Sequence, residues 1–181
     1  MEKVNKLKKF FQNEGIDGYI IPKNDEFFGE YIPDYKDRLK YISDFSGSYG
    51  FALILNSQNY LFVDGRYTLQ ANKQSGKFFK IKTIPHELPE KILGKKKLKI
   101  GFDPKLFTKK TLNIFFGKTN CKYIPLNNNL IDKIWRRRKA KGENKFFKLP
   151  SSSVGESYKS KINKIFLKLK KNGADYQFIT A

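Results

Sequence analysis

Val4, Leu7, Phe10 and Phe11 recur at helical spacing with lysines between them, which predicts a short amphipathic helix ending near Asn13 to Gly15, with Gly15 as its cap. The brief apolar run Tyr19-Ile20-Ile21, closed by Pro22, has the length and branching of a buried strand. Further apolar runs predict strands at Phe51 to Leu55, Tyr60 to Val63, Phe78 to Ile84, Leu98 to Phe102 and Lys122 to Ile124. Helical spacing fits Tyr67 to Gln74 and Thr108 to Phe116. Helices interleaved with short strands predict a layered α/β domain. Asn56-Ser57-Gln58-Asn59 reads as a hairpin turn, so at least one strand pair is antiparallel. The expectation is a mixed parallel and antiparallel sheet flanked by helices.

From about Trp135 to Gly155 the periodicity lapses, first into Arg136-Arg137-Arg138-Lys139-Ala140-Lys141-Gly142 and then into Leu149-Pro150-Ser151-Ser152-Ser153, which is linker composition. Tyr158, Ile162, Ile165, Phe166 and Leu169 then predict another amphipathic helix, followed by Asn172-Gly173-Ala174-Asp175 and the strand-like Tyr176 to Thr180. This ending parallels the beginning: a lysine-rich helix, Gly-x-Asp, then a strand, as in Gly15-Ile16-Asp17 and Gly173-Ala174-Asp175. The expected organisation is a domain over residues 1–135, a linker over 136–155 and the start of a second, similar domain over 156–181. A lone helix and strand cannot bury their own apolar faces, so the chain reads as truncated.

Composition narrows the classes. At 181 residues the chain can bury one good core, and 39% hydrophobic with 15% aromatic content is too apolar for a disordered polyelectrolyte. No apolar stretch approaches the roughly 20 residues that span a bilayer, and the amino end has no signal-peptide core, so the protein reads as cytoplasmic with no membrane partner. Cys121 is the one cysteine, which excludes an intrachain disulfide and points to a structural thiol. The net charge of +20 raises nucleic acid as a partner. Nearly all of that charge is lysine scattered along helices, a compositional bias rather than a specific nucleic-acid surface; Lys95-Lys96-Lys97 and Arg136 to Lys139 are local clusters that attract anions nonspecifically.

The chemistry concentrates in Asp64-Gly65-Arg66-Tyr67, which follows the strand-like Tyr60 to Val63 and opens a helical stretch. Arg66 would stand at a strand's end, where ligands commonly meet α/β sheets, and its planar fork suits carboxylates and carbonyl oxygens. Asp64 could orient that fork and Tyr67 pack on its face; the plainer reading is a turn with a surface ion pair, both side chains serving structure. His86, in Ile84-Pro85-His86-Glu87, reads as a turn residue, since one imidazole with one adjacent carboxylate makes no closed metal-ligand set. Ser46-Gly47-Ser48-Tyr49-Gly50 lacks the Lys-Ser/Thr of a phosphate loop and reads as a turn that needs glycine. Trp135 is expected to bury its ring and anchor the linker.

In order along the chain, Ile16-Asp17-Gly18-Tyr19-Ile20-Ile21-Pro22, Glu30-Tyr31-Ile32, Arg38, Ser43-Asp44-Phe45-Ser46-Gly47-Ser48, Asp64 to Ala71, Gly101-Phe102-Asp103-Pro104 and Asn129 to Trp135 resemble the amino-terminal, creatinase-like domain of aminopeptidase P, the Xaa-Pro aminopeptidase family in its long three-domain form. Val154-Gly155-Glu156-Ser157 and the helix after it resemble the opening of that family's second domain. The resemblance implies a metalloenzyme that removes the residue preceding proline, with two divalent, manganese-type ions in a third domain. It implies no catalytic residue, metal ligand or cofactor in this chain. Arg66 is the position it marks as a substrate contact, and the implied partners are the missing second and catalytic domains and a peptide with proline second. A homodimer is compatible with it. Asp44, Tyr49 and Lys139 depart from the family's pattern, which alters the loop and loosens the linker.

The reading is a non-catalytic amino-terminal portion of an Xaa-Pro aminopeptidase, inactive alone. The alternative is a free-standing module that docks on another peptidase chain or an acidic surface.

Overall fold

The computed structural model describes residues 1–136 and 145–179. The chain divides into two units, Met1–Ala140 and Lys141–Ala181. Of the basic cluster, Arg137 to Lys139 lie outside the described residues, as do much of the expected linker and Thr180.

In the first unit, Val4, Leu7 and Phe11 bury one stripe of α1 (Glu2–Glu14). Gly15 ends it at φ 63, in the left-handed region that glycine enters without strain. Six strands follow: β1 (Gly18–Pro22), β2 (Gly50–Leu55), β3 (Asn59–Asp64), β4 (Lys80–Ile84), β5 (Lys99–Phe102) and β6 (Lys122–Pro125). They form one sheet in the order β4-β3-β2-β1-β5-β6. β2 pairs antiparallel with β1 and β3, while the β3–β4, β1–β5 and β5–β6 pairs are parallel. Five strands therefore point their carboxyl ends to one edge, and β2 begins there. The turn at Asn56 to Asn59 joins β2 to β3, with the Leu55 N–H donating to the Gln58 carbonyl at 2.9 Å.

Pleat alternation supplies two cores. Tyr19, Ile21, Ile54 and Val63 meet α1, α2 (Arg38–Ser43), α3 (Thr68–Ser75) and α6 (Leu130–Ile134) on one face. Ile20, Phe51, Leu53, Phe62 and Ile100 meet α4 (Pro89–Leu93) and α5 (Lys109–Phe116) on the other. The result is a three-layer α/β/α domain with a mixed sheet.

Some boundaries differ from expectation. The strand predicted from Phe78 starts at Lys80, because the N–H groups of Phe78 and Phe79 both donate to the Ser75 carbonyl and complete the last turn of α3. Trp135 is half-buried and stacks on Tyr41, ring centroids 4.5 Å apart. In the second unit, α7 (Tyr158–Lys171) forms with Ser157 as its cap. Tyr176 to Ile179 form no strand, since a strand's backbone groups need a paired neighbour and none is present among the described residues. Gly173 has φ 62, and the Ala174 N–H donates to the Leu169 carbonyl at 3.0 Å. The same bond closes α1, where the Ile16 N–H donates to the Phe11 carbonyl at 3.0 Å. No described helix is long and apolar enough to cross a membrane.

Candidate functional site

Asp64 is the last residue of β3, at the edge where the parallel strands end. Its Oδ1 accepts the Arg66 N–H at 2.9 Å, so the carboxylate caps the single helical turn Gly65–Tyr67 that leads into α3. The same carboxylate grips the side chain. Arg66 Nε lies 3.2 Å from both Asp64 oxygens, and Nη2 lies 2.6 Å from Oδ2. Arg66 remains 76% exposed, against 23% for Asp64. The Arg66 Cζ also stands 5.5 Å from the Tyr67 ring centroid. Nη1 makes none of these bonds, so one side of a braced guanidinium faces out from the edge.

Tyr67 belongs to both readings of its role. Its ring packs edge-on against buried Phe45 at 5.9 Å, and its hydroxyl shares a 2.7 Å hydrogen bond with the Ser48 hydroxyl. Ser46 is tied to α3 in turn, its Oγ accepting from Gln70 and Gln74 at 2.9 Å each. The Ser46 to Gly50 loop is thus fastened beside Arg66. Gly50 has φ 153, and a Cβ there would stand 2.5 Å from the Phe62 carbonyl oxygen, so this turn requires glycine. Electrostatically the pair is mutually reinforcing: hydrogen bonding from Arg66 holds Asp64 below the usual carboxylate range, and Asp64 raises Arg66.

A second arginine is the feature that sequence reasoning did not assign. Arg38 is only 3% exposed and joins three segments. Its Nε donates to Asp132 Oδ1 at 2.7 Å, and its Nη2 donates to Asp132 Oδ2 at 2.9 Å and to Glu26 Oε1 at 2.6 Å. Nη1 is buried with no hydrogen-bond partner among the described residues. Burial opposes the charge of Arg38, but the bonds to Asp132 and Glu26 outweigh it and raise the guanidinium further. Burial also works against ionisation of Glu26, yet bonds from its own backbone N–H, Lys36 and Arg38 prevail and bring it down to about 2. Arg38 is consumed by carboxylates and serves to clamp α2 to α6. The available signal was its chemistry: an arginine where the chain otherwise uses lysine marks bidentate pairing.

His86 occupies the exposed turn after β4, and Glu87 is committed to Lys82 at 2.6 Å and to the Thr83 N–H at 3.2 Å. Cys121 is half-buried, its Sγ 3.4 Å from the Lys96 carbonyl. Among the described residues no three His, Cys, Asp or Glu side chains gather as a metal ion would need. These residues do not fit a dinuclear metal centre.

The creatinase/prolidase N-terminal domain family matches residues 3–134. A probable Xaa-Pro aminopeptidase P of Coprinopsis cinerea is 32% identical over 169 residues, covering 88% of this chain and 27% of the relative. The crystal structure of an X-prolyl aminopeptidase from Caenorhabditis elegans, described as a cytosolic enzyme with a di-nuclear active site, superposes with a TM-score of 0.75 at 27% identity, over 96% of this chain and 31% of that one. The N-terminal domain of the cytoplasmic peptidase PepQ from Mycobacterium tuberculosis shares the fold, with a TM-score of 0.56 at 22% identity over 74% of this chain and 98% of that one. The chain thus spans less than a third of the length of the curated aminopeptidase relatives it matches.

Proposed function

The chain belongs to the creatinase/prolidase N-terminal domain family, and from that premise we propose that it is the amino-terminal, non-catalytic portion of a metal-dependent Xaa-Pro aminopeptidase. Its relatives are Xaa-Pro aminopeptidases of which it spans the smaller part. In this reading residues 1–135 are the first domain, 136–155 the linker and 156–181 the start of a second. Two divalent metal ions of the manganese type belong to a further domain, and no step is assigned to them through residues of this chain.

Arg66 is the residue proposed to touch substrate. The carrying observation is its geometry: a guanidinium at the carboxyl edge of the sheet, exposed on one side and held on the other by a bidentate Asp64. A braced fork loses less freedom when it grips an incoming carboxylate or carbonyl oxygen than a free arginine would. Asp64 and Tyr67 are positioning residues. The substrate class is a peptide with proline in second position, and the protein is placed in the cytoplasm.

Two measurements test this. The 181-residue chain, supplied with manganese, should release no amino-terminal residue from Arg-Pro-Pro; release would overturn the non-catalytic assignment. In a polypeptide joining this chain to its metal-binding domain, Arg66→Ala should raise KM about tenfold with kcat little changed, the signature of lost uniform binding. An unchanged KM would remove Arg66 from the substrate site.

A further inference from the structure

A cavity of about 380 Å³ opens at the same edge of the sheet, between the ends of β1 and β2 and the exposed side of α5. Phe28, Tyr49, Phe51, Phe107, Ile114 and Phe115 supply its apolar walls. Its size falls at the lower end of ligand pockets, about 300–1000 Å³. Phe28, Tyr49 and Ile114 expose 45%, 44% and 59% of their surfaces, and they line one cavity instead of standing singly on the surface.

Most polar side chains at the cavity are already engaged, the Thr111 hydroxyl with that of Thr108 at 2.8 Å. Lys23 is paired with Asp37, both nearly buried, and the Asn24 Nδ2 donates to the Leu106 carbonyl at 3.3 Å. What remains to meet a ligand is aromatic and aliphatic surface together with the Tyr49 hydroxyl. Phe28 is held there at φ 53, a costly conformation for a phenylalanine, by a turn in which its N–H donates to the Asp25 carbonyl at 3.2 Å. The Asp25 carboxylate fixes the same turn through the Phe27 N–H at 3.0 Å.

The pocket and Arg66 share the edge of the sheet, and the residue that braces Arg66 shares the pocket's face. Phe51 and Phe62 are Cα partners across β2 and β3, and both point to the α5 side. Tyr49 lines the cavity beside Phe51, and Asp64 follows Phe62 by two within β3, so alternation puts it on that side. The pairing of Gly50 with Val63 sets Tyr49 opposite Asp64, the residue that braces Arg66. Strands lie about 4.8 Å apart, so the β1–β2 cleft is roughly 7 Å from the β3 end, the length of two residues of extended peptide at about 3.4 Å each.

We propose that this aromatic pocket is a side-chain subsite for the peptide that Arg66 holds, taking a bulky apolar residue two positions from the carboxylate or carbonyl at the guanidinium. The assignment rests on the proposed role of Arg66. It makes the chain a selector of peptide sequence, with one charged grip and one apolar socket on a single rigid edge.

Calorimetric titration of the 181-residue chain with Ala-Pro-Phe-Ala-Ala and Ala-Pro-Ala-Ala-Ala, each as free acid and as amide, tests it. The phenylalanine peptide should bind about tenfold more tightly than its alanine counterpart. In Tyr49→Ala, and separately in Ile114→Glu, the two should bind alike. Equal affinities in the unaltered chain, or a preference that survives both substitutions, overturns the subsite. Absence of binding by every peptide also overturns it and returns the aromatic edge to the role of a face for other protein. The amides report on Arg66 separately: a phenylalanine preference that persists while acid and amide bind equally keeps the pocket and discards the arginine's grip.

Discussion

Arg38 of α2 and Asp132 of α6, 94 residues apart in sequence, are joined by two hydrogen bonds, Nε to Oδ1 at 2.7 Å and Nη2 to Oδ2 at 2.9 Å. Removing the arginine leaves Asp132 and Glu26 facing each other without their shared cation. Arg38→Ala is expected to cost about 3 kcal/mol, the lower end for a broken buried pair because both carboxylates keep some solvent. Arg38→Lys should recover only part of this, since an ammonium cannot reproduce the fork. Urea unfolding of the chain checks both.

The Glu26 carboxylate gives the fold an acid limit. Its pKa falls from 4.5 to about 2 on folding. The folded state therefore binds this proton less tightly than the unfolded state, and the group's stabilisation is full above the unfolded value and is lost as pH falls through the folded one. Unfolding free energy should decline between about pH 4.5 and pH 2, and Glu26→Gln should decline less steeply over that window. Parallel slopes in the two proteins would remove Glu26 from the account.

Two glycines near Arg66 should respond unequally to a methyl group. Gly50→Ala forces a Cβ to 2.5 Å from the Phe62 carbonyl at φ 153 and is expected to cost about 1–3 kcal/mol. Gly65 has nothing within 4 Å of its added Cβ, so Gly65→Ala should stay within about 0.5 kcal/mol. Thermal unfolding of the two variants decides.

Asp64 and Arg66 should separate in binding. Arg66→Ala removes the grip and is expected to weaken acid-terminated peptides about tenfold, while Asp64→Asn keeps the guanidinium and loses its brace, for about a threefold effect. Equal effects would mean that the guanidinium grips the peptide only while Asp64 braces it.

The one tryptophan offers a probe of the α2–α6 contact. Tyr41 stacks on Trp135 at an interplanar angle of 13°, and its hydroxyl donates to the Ile134 carbonyl at 3.3 Å. Tyr41→Leu should cost about 0.5–1.5 kcal/mol for the ring pair and shift tryptophan emission to the red as water reaches the indole. Unchanged emission would show that other side chains shield it.

The long periodic elements were legible: α1 with its glycine cap, the six strands and the hairpin between β2 and β3 all follow from apolar spacing and turn residues. The helices α2, α4 and α6 were not, because five or six residues are too few for a period to show. Their signals lay in single positions, the caps Asp37 and Asn129 and the first-turn Pro89. The turn at Asp64 to Tyr67 was readable as a place for chemistry, and local spacing even suggested the Asp64 brace. The aromatic cavity was not, since Phe28, Tyr49 and Phe107 are brought together by strand order and loop packing, which no local pattern encodes. Tyr176 to Ile179 carried the composition of a strand without a partner to pair with.

The sheet's outermost strands decide how two such molecules can meet. β4 sets Lys80 along one rim, with Lys82 paired to Glu87, and β6 sets Lys122 along the other, where Pro125 also withholds a donor. A second copy laid against either rim would bring a lysine of each copy close together, and on the β6 side would leave a backbone acceptor unanswered. Both rims thus carry residues that disfavour edge-to-edge pairing, which gives some of the lysines a use that has nothing to do with ligands.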